Sequence, residues 1–322
     1  MKHKLSVLAA LGALFVLMAA SGTVLESCRY GLRLCVELIL PSLFPFFVVS
    51  GVLSRLSFPR WLGTRLAPLA RRLFHVSGLG ATALAIGLCG GYPLGAAYLS
   101  ELLREGTIEE RECSRLLAFC NNSGPAFFLG AIGGGVFHSA RLGLLLYGVH
   151  AAAAVLTGLL LRGPDARSVD DSVGQAPPPA SFSSSLTESV HQAVMALLNV
   201  CGFVVCFTVF TGLLDANGFL DAAGSVLTAL LPVEPQAVRA LLTGFFEIGG
   251  GIGALRGLPP TAGSLALASA LVGWGGLSVH FQTFSLFAET DVKSAPHTAG
   301  RFLNAVLSYL LTFGLVSLIP GI

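Results

Sequence analysis

Charge is what this sequence has least of. Asp, Glu, Lys and Arg make up 11% of its 322 residues, while 54% are hydrophobic; soluble domains carry about 25% charged residues. That deficit excludes a soluble globular protein, and the few clustered arginines read as membrane-topology signals, so no nucleic-acid partner is expected. Cysteine is sparse too: the seven present form no C-x-x-C and no Cys/His ligand spacing. Cys113 and Cys120 share a helical face, but a buried free thiol behaves as a small hydrophobe. No metal, redox centre or other cofactor is expected. G-x-S-x-G, Walker A and H-E-x-x-H patterns are all missing, which argues against an enzyme. What is abundant is glycine, at 39 residues, and small residues let membrane helices approach backbone to backbone. The composition is that of an all-α polytopic membrane protein.

An apolar run over 5–20 follows Lys2, His3 and Lys4. Ala19, Ala20 and Ser21 would suit a secretory cleavage site, yet a retained first span fits better in front of further membrane segments. A second span is expected over about 34–56, with Pro41 and Pro45 inside it. The arginines at 55, 60, 65, 71 and 72 mark a cytoplasmic loop. Within it Trp61, Leu62, Leu66, Leu69, Leu73 and Phe74 are spaced for a helix lying on the membrane surface. Residues 78–103 are apolar but interrupted at Gly90, Gly91, Tyr92 and Pro93, which suggests two half-helices in a re-entrant hairpin, with one kinked span as the alternative. A polar connector over 104–115 precedes the next apolar stretch.

That stretch, RLLAFCNNSGPAFFLGAIGGG from Arg115, holds Asn121, Asn122, Ser123, Gly124 and Pro125 in a row. Proline cannot donate to the preceding turn and disfavours a helical residue before it, but it suits the first turn of a new helix. The helix should stop near Asn121 and restart at Pro125, with Asn122 or Ser123 as the new cap. Non-helical backbone at bilayer depth is tolerated only inside protein or beside a wet cavity, and transporters build substrate sites from such breaks. The bland alternative is a kinked core helix with satisfied polar groups. An unbroken span after Arg141 and a Pro/Ser/Gly/Asp-rich cytoplasmic linker over 162–187 complete the first half.

The second half repeats the order of the first. FVVSGVL at 47–53 pairs with TVFTGLL at 208–214, and a second surface helix is expected over 218–231. Residues 91–96 align with 249–254, residues 118–124 with 270–276, and the span after Arg141 with the one after Arg301. Basic residues put the loop at 55–72 and the linker inside, and Asp215, Asp221 and Glu234 outside. The second broken span, over about 262–287, then returns inwards to Lys293 and Arg301. The expected architecture is two inverted-topology repeats, each with a re-entrant hairpin and a broken transmembrane helix. The chain divides into an N-terminal helix (1–25), a first repeat (26–161), the linker and a second repeat (188–322).

Candidate substrate-binding groups are Asn121, Asn122, Ser123 and Gly124 at the first break, and Gly91 and Tyr92 at the first hairpin tip. The second half adds Gly249 and Gly250 at its tip and Gly275, Gly276 and Ser278 at its break. Glycines let backbone approach a ligand, although tight helix packing explains them equally. Tyr92 suits ring stacking or an interfacial anchor. Glu247, a carboxylate within an apolar segment, is a candidate for proton or cation coupling or a partner of Arg256. His280 and Gln282 are further coupling candidates, His280 as a proton carrier. Ser278, His280 and Gln282 alternate, so no more than two should share a helix face.

GGYPLGA, RLLAFCNNSGPAFF, GFFEIGGGIGAL and WGGLSVHFQTFSLFAETD together resemble the YlbJ-type sporulation integral membrane proteins, which carry a nucleoside-recognition or Gate domain distantly like concentrative nucleoside transporters. The resemblance implies a bacterial multi-pass protein of the cell or outer forespore membrane, acting in endospore formation. It further implies transport of dipicolinic acid from mother cell towards forespore. The reading is therefore a secondary transporter of a small anionic or aromatic solute, coupled to protons or sodium and compatible with a homo-oligomer. The alternatives are a nucleoside or other solute transporter, or a non-transporting scaffold in spore-envelope assembly.

Overall fold

A computed structural model of the chain describes residues 2–56, 58–163, 181–230 and 232–319; the interior of the sequence-assigned linker, 164–180, lies outside them. Among the described residues the protein is all helix. The elements are α1 (Lys2–Ala19), α2 (Ser21–Leu34), α3 (Leu40–Arg55), α4 (Phe58–Phe74), α5 (Gly78–Gly90), α6 (Leu94–Arg104), α7 (Glu110–Cys120) and α8 (Ala140–Leu160). Then follow α9 (Phe182–Ala216), α10 (Phe219–Leu230), α11 (Pro235–Phe246), α12 (Ile248–Gly253), α13 (Ala262–Trp274), α14 (Gly276–Ser285) and α15 (Ser294–Ser317). Among the described residues four segments are long and apolar enough to cross a membrane: Ala140–Leu160, Phe182–Ala216, Ala262–Ser285 and Ser294–Ser317. Counting each sharply bent helix pair as one span raises the number to six. This is a polytopic membrane protein.

The prolines of the second span do not interrupt it. A π-helical turn, Cys35–Ile39, joins α2 to α3 immediately before Pro41, the kind of local widening by which a helix accommodates an interruption. The helix therefore runs on over 21–55, starting well before the expected 34. It packs along the 35-residue α9, which at 1.5 Å per residue is about 52 Å long and outreaches the hydrocarbon layer.

Helix α4 meets α5 at 95°. Its inner side, Ala70 and Phe74, is buried against α5, while Trp61 and Leu69 stay exposed. The arms of the first hairpin, α5 and α6, have 13 and 11 residues. At about 20 Å or less, neither reaches across a bilayer core of about 30 Å. The connector expected at 104–115 is shorter than its polarity suggested. Residues from Glu110 onward already form α7, and Glu112 is buried, accepting the Ser77 backbone N–H at 2.7 Å.

Packing repeats along with element order. Helix α4 lies on α5 as α10 lies on α11, α5 pairs with α6 as α11 pairs with α12, and α5 with α7 as α11 with α13. The hairpin correspondence is shifted relative to the sequence alignment. Pro93 immediately precedes α6 and Glu247 immediately precedes α12, so the tips that correspond are Tyr92–Pro93 and Glu247, not Tyr92 and the glycine run.

Candidate functional site

Both helix breaks form where the backbone chemistry demands them. Helix α7 ends at Cys120, Asn121 is extended, and helix resumes at Pro125, continuing as a π-helical segment, Phe127–Gly134. The second break is made by Gly275 and Gly276, both at positive φ (87° and 77°), which L side chains rarely adopt. Each break is pressed by the hairpin tip of its own half. A Cβ added at Gly124 would fall 3.0 Å from the Gly91 nitrogen, and one at Gly276 would fall 3.0 Å from the Ile248 nitrogen.

The halves then join. The Tyr92 hydroxyl donates to the Val272 carbonyl at 2.7 Å, and Asn121 Nδ2 donates to Thr283 Oγ1 at 2.7 Å. At the centre stands Arg301, fully buried. Its Nη1 donates to the Asn121 carbonyl (2.8 Å) and to Asn122 Oδ1 (3.2 Å), and its Nη2 to the Tyr92 hydroxyl (2.6 Å) and the Val272 carbonyl (2.9 Å). One side chain thus touches the first break, the first tip and the end of α13. Each of these hydrogen bonds goes to an uncharged oxygen. A buried charge without a counter-charge costs several kcal/mol, so this cation is a feature that the surrounding structure sustains.

The charge pattern of the sequence places Arg301, with Lys293, on the cytoplasmic side to which the second broken span returns. Arg301 lies instead within the span Ser294–Ser317, seven residues and about 10 Å along the helix. Two close approaches bring it inside. Gly300 sits against the Ala118 backbone of α7, and Gly273 of α13 sits against Ala305. A signal for this was present: His297, Arg301, Asn304, Ser308 and Thr312 recur on one face of an otherwise apolar helix, and all five are fully buried.

The first-break residues are all in the cluster, though not as caps. Asn122 Nδ2 turns back to the Phe119 carbonyl at 2.7 Å, and the Ser123 N–H donates to His150 Nε2 at 3.2 Å. The last carbonyls of α7 have no intrahelical donors, and they claim the Asn122 amide first. Tyr92, Asn121, Asn122, Ser123, Thr283, His150 and Arg301 are thereby assembled in one buried group. Thr283, His150 and Arg301 were not singled out by sequence. Asn121 Oδ1, Ser278 Oγ and Arg301 Nε have no hydrogen-bond partner in the protein, whereas buried polar atoms normally have one.

Ser278, His280 and Gln282 are all buried, in spite of their alternation. His280 packs on Trp274 and His297, with ring centroids at 4.3 and 5.0 Å, and His297 Nδ1 lies 3.0 Å from the Leu117 carbonyl. Glu247 is buried at the second tip. Its carboxylate accepts from the Gly249 N–H at 2.9 Å and the Gly250 N–H at 2.6 Å, which is a cap on α12 and occupies the two glycines assigned to substrate. An open depression of about 620 Å³ lies elsewhere, lined by Arg104, Glu109, Arg111 and Glu289 among others.

A relative in Bacillus subtilis (strain 168), the sporulation integral membrane protein YlbJ, is 31% identical over 305 residues, covering 87% of this chain and 74% of the relative. No family profile matches the chain, and no solved structure matches it either.

Proposed function

The chain belongs to the family of YlbJ-type sporulation integral membrane proteins, and from that membership we propose that it is a secondary transporter of a small anionic solute. The observation that carries this reading is the convergence of both helix breaks and the first hairpin tip on one buried polar cluster around Arg301. Polar groups are expensive within a membrane span and default to substrate or ion pathways. The unpartnered Asn121 Oδ1 and Ser278 Oγ supply hydrogen-bonding capacity that the fold does not consume.

Dipicolinic acid is the substrate this reading favours, moved across the outer forespore membrane towards the forespore. A planar dianion matches a site with one fixed cation and amide and hydroxyl groups around it. A neutral nucleoside would leave the charge uncompensated. Alternating access takes the form of inverted repeats rocking about the joined breaks, with α4 and its arginines on the cytoplasmic side and α10 on the other. Protons or sodium ions couple through Glu247 and the His280 region, to which Gln282, two residues further along α14, adds a polar group.

Purified protein in proteoliposomes, given labelled dipicolinate or nucleosides under an imposed proton or sodium gradient, tests the proposal. Gradient-driven accumulation of dipicolinate is expected. No uptake of any solute by inserted, folded protein would reject transport and leave the scaffold reading.

A further inference from the structure

We propose that Arg301 is the residue by which this site selects carboxylates, and that the Tyr92 hydroxyl is its built-in competitor, holding the guanidinium until a carboxylate takes its place. The inference rests on the transport reading above.

Arg301 has one uncommitted nitrogen. Within a guanidinium, Nε and Nη2 form one edge of a planar fork that matches the two oxygens of a carboxylate. Nη1 is committed to the first break, through the Asn121 carbonyl and Asn122 Oδ1. On the other edge Nε has no partner, and Nη2 is held by Tyr92 and Val272. The Tyr92 hydroxyl also donates to the Val272 carbonyl, so it keeps a partner when its oxygen gives up Nη2. Tyr92 is therefore the exchangeable contact. A neutral phenol oxygen is a weaker acceptor than a carboxylate, which brings a full negative charge and two oxygens that match the guanidinium fork.

The position suits the exchange. The Tyr92 ring lies beside the guanidinium, with Arg301 Cζ 5.3 Å from its centroid, and Tyr92 belongs to the tip that presses on the first break through Gly91. Displacing its hydroxyl from Arg301 removes one of the two hydrogen bonds it makes with the second half and leaves the one to Val272. Binding of the anion and loss of the Tyr92–Arg301 contact become one event, with Asn121 Oδ1, on the residue whose carbonyl accepts from Nη1, available to a further group of the ligand. A purely structural clamp would need no unpartnered Nε, and its strength would not depend on the charge of a solute.

The test compares pyridine-2,6-dicarboxylate with its neutral diamide, by calorimetric binding to purified full-length protein and by proteoliposome uptake. Wild type should prefer the dicarboxylate. Arg301→Gln should cut that preference by at least ~30-fold, the scale of removing one partner of a buried charge pair, with diamide binding little changed. Arg301→Lys should recover part of the preference. Tyr92→Phe, which removes the phenol oxygen from Nη2 and leaves it only the Val272 carbonyl, should tighten dicarboxylate binding relative to the diamide. A preference within about threefold of wild type in Arg301→Gln, or equal loss of both probes, overturns the proposal. If Arg301→Gln fails to insert, Tyr92→Phe decides, and unchanged or weaker dicarboxylate binding overturns it. Transport of the dicarboxylate by wild type and Arg301→Gln alike leaves the transport reading standing and removes only this one. Failure of wild type to bind or move either probe removes both.

Discussion

Arg301 and Tyr92, 209 positions apart in sequence, meet through a 2.6 Å hydrogen bond in which the guanidinium Nη2 donates to the phenol oxygen. This contact ties the last long helix to the first hairpin tip, and so one half of the chain to the other. Tyr92→Phe removes it together with the bond to Val272. It should lower stability by about 1–3 kcal/mol, read as an earlier thermal unfolding transition in detergent.

The close approach that admits Arg301 is also testable. A methyl at Gly300 would collide with the Ala118 backbone, whereas one at Gly314, on the same helix, would meet nothing within 4 Å. Gly300→Ala should destabilise by roughly 1–3 kcal/mol through overpacking. Gly314→Ala should be neutral or stabilising by up to about 1 kcal/mol. Equal melting temperatures for the two variants would contradict the packing described for α7 and α15.

At the first break, Asn121→Ala and Asn122→Ala should abolish solute uptake without affecting membrane insertion. Thr283→Val keeps shape and removes only the hydroxyl that accepts from Asn121. It should slow uptake by roughly 3–10-fold, the effect of one net hydrogen bond. Normal uptake by all three would place the substrate path elsewhere.

Glu247→Ala strips α12 of the carboxylate that accepts the Gly249 and Gly250 N–H groups. A lost cap costs about 0.5–2 kcal/mol, so the variant should still insert, with a modestly lower melting temperature. Uptake should be lost if the carboxylate also carries the coupling ion. Gradient-driven uptake at the wild-type rate would reduce Glu247 to a cap.

Opposite orientation of the two halves is checked by cysteine labelling in sealed vesicles. With the native cysteines replaced by serine, Thr64→Cys on α4 and Asn217→Cys beside α10 are both exposed positions. They should react with a membrane-impermeant maleimide from opposite sides. Labelling of both from one side would exclude the inverted arrangement.

Much of the fold was legible because its causes are local. Lack of charge put the chain in a membrane, Pro125 and Gly275–Gly276 broke helices where they stand, and a surface helix expected over 218–231 is found as α10. The second span was read as starting at about 34 because Arg29 and Arg33 precede it, whereas the helix begins at Ser21 and runs on through a π-helical turn. The hairpin tips were aligned out of register because glycines resemble one another, whereas the tip is marked by where α6 and α12 begin.

By itself, then, the sequence determined the solvent, the order of elements and the two breaks, since hydropathy and backbone freedom are properties of single residues and their neighbours. The tertiary structure alone decided what Arg301 is. Beside Lys293 it reads as a loop charge, and only the contact of Gly300 with α7 and of Gly273 with α15 turns it inward. A buried cation is defined by the neighbours that remove its water, and here those neighbours come from segments as far as 209 residues away in sequence.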